Sequence, residues 1–489
     1  MRKSPSTQTR LDCPSILDVK LNLECRDEIV PILAGLQYVY SIPETRDSIL
    51  DLVAGDVNRD SRDDCGRSGM DYWHMVVLAS VRLGCNFNYD KLQDLAEQHR
   101  ALRHIMGVGD WEEVAYSWRR IRDNLCLIQP DTIEKISHLI VAVGHSLDPA
   151  AVERVRADSF VVETNIHYPT ESTLILDGTR KVIELCHELS LSLGREGWRQ
   201  HAHLLRKIKS SVRIIAKIAA SKVSKEERDK KLIPAYKTLL RRAERVLNRA
   251  ADLCQQLETE GEMRMSDLLT LTHMRLFVGR TRHVCGTAYR RVILGEVVRN
   301  EEKLFSIFEP HTQLYKRGKA GTPVQFGRMV LIYEDSAGFV LHHHLMDRTA
   351  QDVDVPVEHT RILQERLDHQ IKHLSFDSGF HSPENQEELS RLIDHPCIPV
   401  KGALQKQQQS AAASVSFHTA RQRHPGVESA IGALQSGNGM KRCRDRSEIG
   451  FERYIALGIL GRNLHTLGRL VIRRVDPLCE AARSYRMAA

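Results

Sequence analysis

The chain has 489 residues, of which 42% are hydrophobic and 27% are charged. This is the composition of a folded globular protein, and the length predicts two to four domains or one heavily interrupted domain. The longest apolar runs fall well short of the roughly 18 residues that a membrane-spanning helix needs, and the first residues do not lead into the apolar stretch of an export signal. We therefore expect a cytoplasmic protein that does not contact a membrane. The 11 cysteines include no CxxC pair, which argues against a disulfide framework and a cysteine-rich zinc site.

Residues 1–150 are predicted to be helical, because apolar residues recur there at helical spacing. Asn86, Asn88 and Asp90 would end one helix and cap the next, which gives a helix-turn-helix-like arrangement from about Met70 to Met106. Such a pair of helices either reads DNA or is only a packing unit, and the sequence leaves both possibilities open.

A strand-like alternation follows near Val155 to Val162, and after it comes a strongly basic segment. Between Arg195 and Arg249 there are 17 lysines and arginines but only five acids, so the net charge of this segment is +12. Because the net charge of the whole chain is +7, the rest of the chain has a net charge of −5. Apolar spacing predicts an amphipathic helix pair here, broken near Pro234. The simpler interpretation is a helix face that only contacts solvent, but the concentration of positive charge favours a surface that binds nucleic acid. The candidate DNA contacts are Arg206, Lys207, Lys209, Arg213, Arg241, Arg242 and Arg245.

The remaining chain alternates between predicted strands and helices, as in an α/β protein. The predicted elements are, in order, a strand at Leu304 to Phe308, a hairpin of Phe326 to Tyr333 and Phe339 to Leu345, a helix at about Val353 to Asp368, a strand ending at Phe376, a helix from Pro383, a strand at Cys397 to Val400, and helices at Pro425 to Arg446 and Tyr454 to Arg474. The glutamine- and alanine-rich residues 405–416 are predicted to form a loop.

Several common chemistries lose support because their motifs are missing. The sequence contains no GxxxxGK[ST], HExxH, GxSxG or GxGxxG motif, which argues against P-loop nucleotide hydrolysis, zincin proteolysis, α/β-hydrolase chemistry and Rossmann-type dinucleotide binding. The triplet His342-His343-His344 is interpreted as structural, since adjacent residues on a strand point to opposite faces and cannot all ligate one ion.

Three carboxylates stand where an α/β sheet can place a metal site. Asp158 lies among apolar residues of the first predicted strand, where an ionised side chain is costly unless it serves a partner. Asp377 directly follows a predicted strand, at the end where open α/β sheets bind ligands, and Glu428 begins a predicted helix. Each residue alone is more simply a cap or a solvated side chain. Together they form a candidate pocket for two Mg²⁺ ions, which take oxygen ligands and support phosphodiester chemistry.

The residues around these carboxylates resemble the DDE transposases of bacterial insertion sequences, specifically the group with an RNase H-like catalytic domain. The matching stretches are Asp158 to Ser172 (DSFVVETNIHYPTES), Phe308 to Thr312 (FEPHT), Lys316 to Lys319 (KRGK), Asp377 to Phe380 (DSGF), Glu428-Ser429 and Gly450 to Tyr454 (GFERY). The resemblance covers nearly the whole chain. It implies that Asp158, Asp377 and Glu428 are catalytic and hold two Mg²⁺ ions, with Mn²⁺ as an alternative. It also implies cleavage of double-stranded DNA at the terminal inverted repeats of the element and joining to target DNA, by a homodimer or higher oligomer on DNA.

The last glutamate lies in an atypical context. Related transposases often carry Tyr-x-x-Arg-x-x-x-Glu-x6-Lys around it, whereas Arg421, His424 and Gln435 occupy the Tyr, Arg and Lys positions here. The supporting basic roles therefore do not carry over directly. Nearby candidates for DNA contact are Arg423, Lys441 and Arg442.

The predicted fold class is an α/β RNase H-like catalytic core with a helical N-terminal domain and an all-helical insertion. The predicted boundaries are 1–150 for the N-terminal domain (DNA-end binding or oligomerisation), 151–180 and 304–475 for the two parts of the core with its C-terminal helices, 181–303 for the basic insertion, and 476–489 for a tail. Two alternatives stay open: a catalytically inactive DNA-binding remnant that acts as a repressor, and a related metal-dependent nuclease that cuts DNA without joining it.

Overall fold

A computed structural model describes residues 11–59, 69–113, 116–259, 263–316, 323–400 and 415–475. The predicted tail, most of the predicted loop at 405–416 and residues 317–319 lie outside these ranges. The described chain forms two compact units. Unit 1 contains the residues up to Glu163 and from Arg328 onward, and unit 2 contains Thr164–Gly327. The predicted insertion falls inside unit 2, whereas residues before 150 share unit 1 with the later part of the chain.

The described residues of unit 1 begin with seven α-helices, in agreement with the apolar periodicity there. They are α1 (Ile29–Tyr40), α2 (Pro43–Val57), α3 (Tyr72–Gly84), α4 (Tyr89–Gln98), α5 (Arg100–Met106), α6 (Trp118–Leu125) and α7 (Pro130–Leu147). The predicted turn between α3 and α4 is confirmed. Asn86 has a left-handed φ of 55°, and the Asn88 side chain accepts a hydrogen bond from the Lys91 amide at the start of α4.

Four helices lie in the later part of unit 1 before its last helix. They are α12 (Pro356–Arg366), α13 (Pro383–Leu392), α14 (Val415–Arg423) and α15 (Gly426–Ser436). The helices predicted around Val353 and from Pro383 are confirmed by α12 and α13. The helix predicted at Pro425 to Arg446 is too long, because Gly439 takes the left-handed region with a φ of 71° and ends the helical course of the chain.

The last helix, α16 (Glu448–Val475), is the buried centre of the helical part of unit 1. Every residue from Tyr454 to Leu460 is buried, so the helix is covered on all faces. It packs against α1, α3 and α7. Glycine permits close approaches between these helices: a Cβ at Gly461 would lie 2.5 Å from the Cα of Gly84 in α3, and a Cβ at Gly468 would collide with the carbonyl oxygen of Pro31 in α1. The first seven helices and the last helix therefore share one core, and position 150 is not a boundary between compact units.

A mixed sheet of seven strands provides the β part of the fold. The strands are β1 (Arg154–Thr164), β2 (Gln313–Tyr315), β3 (Gln325–Asp335), β4 (Val340–Leu345), β5 (His373–Ser375), β6 (His395–Cys397) and β7 (Arg442–Cys443). Their order is β2-β3-β1-β5-β6, with β4 also paired to β3 and β7 to β1. β1, β5 and β6 are parallel, whereas β2, β3 and β4 are antiparallel, so the predicted hairpin is confirmed. The predicted α/β character is confirmed at this level.

The strand predicted at Leu304 to Phe308 is wrong, because this segment is irregular. Its apolar residues serve packing within unit 2 rather than a strand ladder. The ring of Phe305 lies 5.6 Å from that of Phe326, centroid to centroid. Ile307 is buried in a helical core cluster. An alternating apolar pattern this short does not distinguish the two arrangements.

Unit 2 is built around four long helices, and the sequence predicted helical structure for 181–303. They are α8 (Glu171–Ser192), α9 (His201–Ala219), α10 (Lys225–Thr259) and α11 (Met265–Ala288). The predicted break near Pro234 is wrong, since Pro234 lies inside α10 and residues 220–224 connect the two basic helices. A proline removes one backbone hydrogen bond, but the buried stripe of α10 continues beyond it through Tyr236 and Leu239 and keeps the helix packed.

Candidate carboxylate site and basic helical face

Asp158 and Asp377 occupy equivalent positions on neighbouring parallel strands. β1 pairs with β5 in a register whose last pair is Arg156 with Ser375. Each aspartate comes two residues after that pair, Asp158 within β1 and Asp377 at the start of the 3₁₀ turn that follows β5. Because neighbouring strands run about 4.8 Å apart, this register brings the two chain segments side by side, just beyond the end of β5 and in the middle of β1. The sequence predicted the two positions separately but not their pairing.

Arg156 anchors the turn before α15 to β1. Its Nε and Nη2 atoms lie 2.7 and 2.6 Å from Oε2 of Glu334, whose side chain is 1% exposed. The same guanidinium packs against Gly426, where a Cβ would collide with it, and its Nη1 donates to the carbonyl oxygen of Arg423 at 3.4 Å. A fixed cation therefore supports the first residue of α15.

His424 anchors the same turn to β5. Its Nδ1 lies 3.1 Å from the hydroxyl of Ser375. Burial lowers the pKa of His424 below its ordinary value, and the negative charges of Asp377 and Glu428 act in the opposite direction. The imidazole thus lies within the electrostatic influence of two of the three candidate carboxylates.

These contacts fix the start of α15 relative to one face of the sheet. Arg156 and Ser375 each lie two residues before a candidate aspartate, and side chains two residues apart on a strand share a face. Glu428 is the third residue of α15. The three candidate residues therefore belong to one region of unit 1, formed by the middle of β1, the segment that follows β5 and the start of α15.

The three side chains are accessible and do not form a closed metal cage. Asp158 is half-buried, and Asp377 and Glu428 are exposed. One oxygen of Asp158 accepts a hydrogen bond from the Ser159 amide at 2.7 Å, and one oxygen of Asp377 accepts from the Ser378 amide at 2.7 Å. Within the described residues, no group of three or more Asp, Glu, His or Cys side chains is arranged to hold a metal ion.

α15 packs through one apolar stripe. Val427, Ala430 and Leu434 are buried, whereas Ile431 is half-buried. The Glu428 carboxylate lies on the exposed side of this helix. An exposed carboxylate keeps its hydration and needs no cation to offset burial.

Asp352 is a nearby carboxylate that was not predicted from the sequence. Its Oδ1 accepts a hydrogen bond from the Ser159 hydroxyl at 2.6 Å, and its Oδ2 would lie 3.5 Å from a Cβ at Gly379. Since Ser159 follows Asp158 and Gly379 lies two residues after Asp377, Asp352 is close to the segments that carry both candidate aspartates. In the sequence it stands just before a helix, where an aspartate is typical of a cap, so no local pattern distinguished it.

The predicted DNA contacts after α15 have different surroundings. Arg423, Lys441 and Arg442 are all exposed. Arg442 forms an ion pair with Glu163 at 2.9 Å, and the Glu163 amide donates to the carbonyl oxygen of Lys441 at 3.1 Å. The segment at Lys441 is thus tied to the end of β1, while the side chains of Arg423 and Lys441 have no acidic partner among the described residues.

The histidine triplet belongs to a buried cluster between α7, β4 and α12. Nε2 of His342 lies 3.1 Å from Nδ1 of His359, and Oε1 of Glu134 lies 3.6, 3.8 and 4.0 Å from nitrogens of His138, His342 and His343. Burial lowers the pKa of His138 to about 3 and the pKa values of His343 and His359 to about 4. Neutral, packed imidazoles agree with the structural interpretation of the triplet.

The basic segment of unit 2 presents an exposed helical face. α9 contains no acidic residue, and its cations Arg206, Lys207, Lys209, Arg213 and Lys217 are all exposed. Four of these cations recur at three- and four-residue spacing, on the side of the helix opposite the buried Ile208, Val212 and Ile215. The four are Arg206, Lys209, Arg213 and Lys217. They form a stripe about 16 Å long. None of the four has an ion-pair partner in the described part of the chain.

The candidate residues on α10 divide into two kinds. Arg241 and Arg245 are exposed and have no acidic partner among the described residues. Arg242 instead donates from Nη1 to the carbonyl oxygen of Lys207 and to the hydroxyl of Ser211, both at 2.7 Å. Its guanidinium therefore joins α10 to α9.

Comparison with protein-family models, with curated proteins and with solved structures gave no match. Among the described helices, none combines the length and apolarity needed to cross a membrane. The functional interpretation therefore depends on the residues and geometry above.

Proposed function

We propose that this protein is a metal-dependent DNA transposase with an RNase H-like core in unit 1. It would cut the ends of a mobile element and join the freed 3′-hydroxyls to target DNA, as a homodimer or higher oligomer. The observation that supports the proposal is the parallel register of β1 and β5, in which Asp158 and Asp377 each follow the last paired residues by two positions. The helix that carries Glu428 starts from a turn bound to the same two strands.

The donor set has the chemistry of a magnesium site. Asp158, Asp377 and Glu428 offer only carboxylate oxygens, the ligand type that Mg²⁺ and Mn²⁺ prefer. These three residues would hold the ions, and bound Mg²⁺ supplies Lewis-acid stabilisation of the attacking and leaving oxygens of a phosphodiester. Arg156 and His424 hold the turn before Glu428 in place, so this carboxylate starts from a fixed backbone.

The basic face of unit 2 supports a DNA substrate. Uncompensated cations on one side of a helix attract the phosphate backbone irrespective of base sequence. The stripe from Arg206 to Lys217 and the exposed Arg241 and Arg245 provide such a surface. In this proposal the surface binds duplex DNA, and unit 1 performs the chemistry.

The test is a joining assay with the purified protein. A labelled duplex from the DNA that flanks the gene, which would contain the inverted repeats, is incubated with a supercoiled target plasmid. We expect cleavage and insertion of the label with Mg²⁺ or Mn²⁺, and binding with little turnover in Ca²⁺, whose coordination is longer and looser. A protein that binds the flanking duplex but neither cuts nor joins it in Mg²⁺ and Mn²⁺ would refute the proposal.

A non-catalytic DNA-binding protein is the second candidate. It is favoured by the exposure of Asp377 and Glu428 and by the lack of a ready group of metal donors among the described residues. Such a protein would bind the flanking duplex with a metal-independent affinity and leave every plasmid intact. Metal-dependent cleavage without insertion would instead identify the nuclease alternative.

A further inference from the structure

One side of α11 in unit 2 is apolar and exposed. The helix packs against α8 and α10 through a buried stripe on another side. Its exposed apolar side chains are between 46% and 80% accessible to solvent, and they are Met265, Leu268, Leu269 and Leu276. With about 3.6 residues per turn, these four and the exposed Thr272, Gly279 and Gly286 fall within about 100° of the helix circumference. We call these seven residues the α11 face.

Large and small residues are separated along the α11 face. Met265, Leu268 and Leu269 lie in the first turns of the helix, whereas Gly279 and Gly286 lie near its end. A Cβ at either glycine would meet no other part of the described chain within 4 Å. Glycine weakens a helix relative to alanine, and packing within the chain does not require it at these positions. A partner backbone that approaches closely would require it.

The arginines beside the middle of the α11 face are bound within the chain. Arg275 forms an ion pair with Glu258, and Nη2 of Arg282 donates to Oδ1 of Asn248 at 3.2 Å. The stripe of cations on α9 differs, because it has no ion-pair partner in the described part of the chain. The α11 face therefore suits an apolar protein surface better than a phosphate backbone.

We propose that the α11 face joins two copies of this chain, with the two helices antiparallel about a two-fold axis near Leu276. In this arrangement Met265 lies against Gly286 of the partner subunit, and Thr272 lies against the partner's Gly279. A two-fold contact must be complementary to itself, and the antiparallel pairing sets large residues against small ones. A parallel pairing would set glycine against glycine and leave gaps.

The size of the α11 face is suitable for a dimer contact. Its length from Met265 to Gly286 is about 32 Å, at about 1.5 Å per residue. A patch of about 800 Å², the usual contribution of one partner, has a similar diameter. Use of this dimer in a DNA-bound assembly rests on the proposed function, whereas association of the free protein does not.

The first test measures the mass of the full-length protein by analytical ultracentrifugation, without DNA or divalent metal. We expect a dimer, and Leu269→Glu combined with Leu276→Glu should raise its dissociation constant at least about 100-fold, because carboxylates would be buried in the contact. Gly279→Leu should raise it at least about tenfold by overfilling the contact. The matched control is Ile214→Glu, at a half-exposed apolar residue of α9, and it should dimerise like the wild type. Circular dichroism verifies the fold of each variant.

The second test determines the orientation of the two helices with a short bismaleimide cross-linker. Leu276→Cys, at the axis, should cross-link to itself more than the wild type with its native cysteines does. Met265→Cys should not, because its two copies would lie about 32 Å apart, but it should cross-link to Gly286→Cys in a mixture of the two variants. Equal self-cross-linking at positions 265 and 276 would overturn the antiparallel arrangement.

A wild-type protein that stays monomeric at up to about 100 μM would overturn the dimer contact. An unchanged dissociation constant in both α11 variants would also overturn it. If these variants dimerise normally but bind duplex DNA more weakly, the α11 face is a DNA surface and the proposal is wrong. Since no step of either test requires cleavage, a protein that dimerises through α11 but never cuts DNA would refute the proposed function alone.

Discussion

The carboxylate region of unit 1 and the basic face of unit 2 are built in opposite ways. Around the carboxylates, strand register and mutual bonds fix each supporting side chain, as in the ion pair of Arg156 with the buried Glu334. On α9 the cations are exposed, and the four that form the stripe have no ion-pair partner in the described part of the chain. The first region depends on precise placement, and the second only on helical spacing. Single substitutions should therefore have large effects in the first region and small, additive effects in the second.

The largest effect is expected at the paired aspartates. Asp158→Asn and Asp377→Asn should each lower the rate of DNA cleavage by roughly 10³-fold or more, because loss of a metal-binding charge removes several kcal/mol of transition-state stabilisation. DNA affinity, measured by fluorescence anisotropy, should stay near that of the wild type. A variant that cleaves at the wild-type rate would remove its aspartate from the site.

Glu428 has matched controls on α13. Glu428→Gln should abolish cleavage, whereas Glu384→Gln and Glu387→Gln should keep at least part of it. Glu387 pairs with Arg391 at 2.5 Å, which is an ordinary role on a helix surface. The comparison is a cleavage time course in Mg²⁺. Equal loss in all three variants, with normal folding, would mean that the third carboxylate is not specifically Glu428.

The ion pair beneath α15 should matter for stability as well. Arg156→Met leaves the buried Glu334 without its closest partner, so we expect the free energy of unfolding to fall by about 3 kcal/mol. The matched change on the basic face, Arg206→Met, should alter stability by less than about 0.5 kcal/mol. Urea unfolding of both variants measures the difference. Similar values would show that the contrast between the two regions does not extend to their energetics.

The buried histidines predict a loss of stability in acid. Burial holds the pKa of His343 at about 4 in the folded protein, compared with 6.5 as its ordinary value. Below about pH 6.5 the unfolded chain therefore binds a proton that the folded chain does not, and the free energy of unfolding falls by up to about 1.4 kcal/mol per pH unit for each such group. Urea unfolding at about pH 7 and about pH 5 should show this decline, and His343→Asn should reduce it. An identical pH dependence in wild type and variant would contradict the assignment.

The smallest effects are expected on the basic face. Arg241→Gln combined with Arg245→Gln should reduce the slope of log K against log salt by about 0.9 for each lost phosphate contact, with little change in sequence preference. Arg242→Gln is the contrast, because its guanidinium binds Lys207 and Ser211 of α9. The Arg242→Gln substitution should therefore lower the melting temperature of the protein. An unchanged salt slope in the double variant would identify these arginines as a solvated surface only.

The sequence predicted best where local pattern and tertiary packing agree. Helical spacing predicted the helical character of 181–303, and turn residues located the β3/β4 hairpin. The pattern failed at Leu304 to Phe308, where apolar side chains pack on helices without strand pairing, and at Pro234, where packing of α10 outweighs one lost hydrogen bond.

At the candidate site the positions of Asp158 and Asp377 on or after strands were predictable, but their shared register was not. Register is set by contacts between segments that lie more than 200 residues apart in the chain. The same holds for Asp352, which is brought to Ser159 by a hydrogen bond across 193 positions, and for Arg156, whose partner Glu334 lies 178 positions away. No periodicity within one segment encodes such pairings.

The most direct test of the central claim is the location of bound metal. Crystals of the protein with a DNA end and Mn²⁺ would show the ions by anomalous scattering. We predict anomalous peaks at coordination distance, about 2.1 Å, from carboxylate oxygens of Asp158 and Asp377. Ordered carboxylates without a peak beside them, in crystals where Mn²⁺ is bound at another site of the chain, would contradict it.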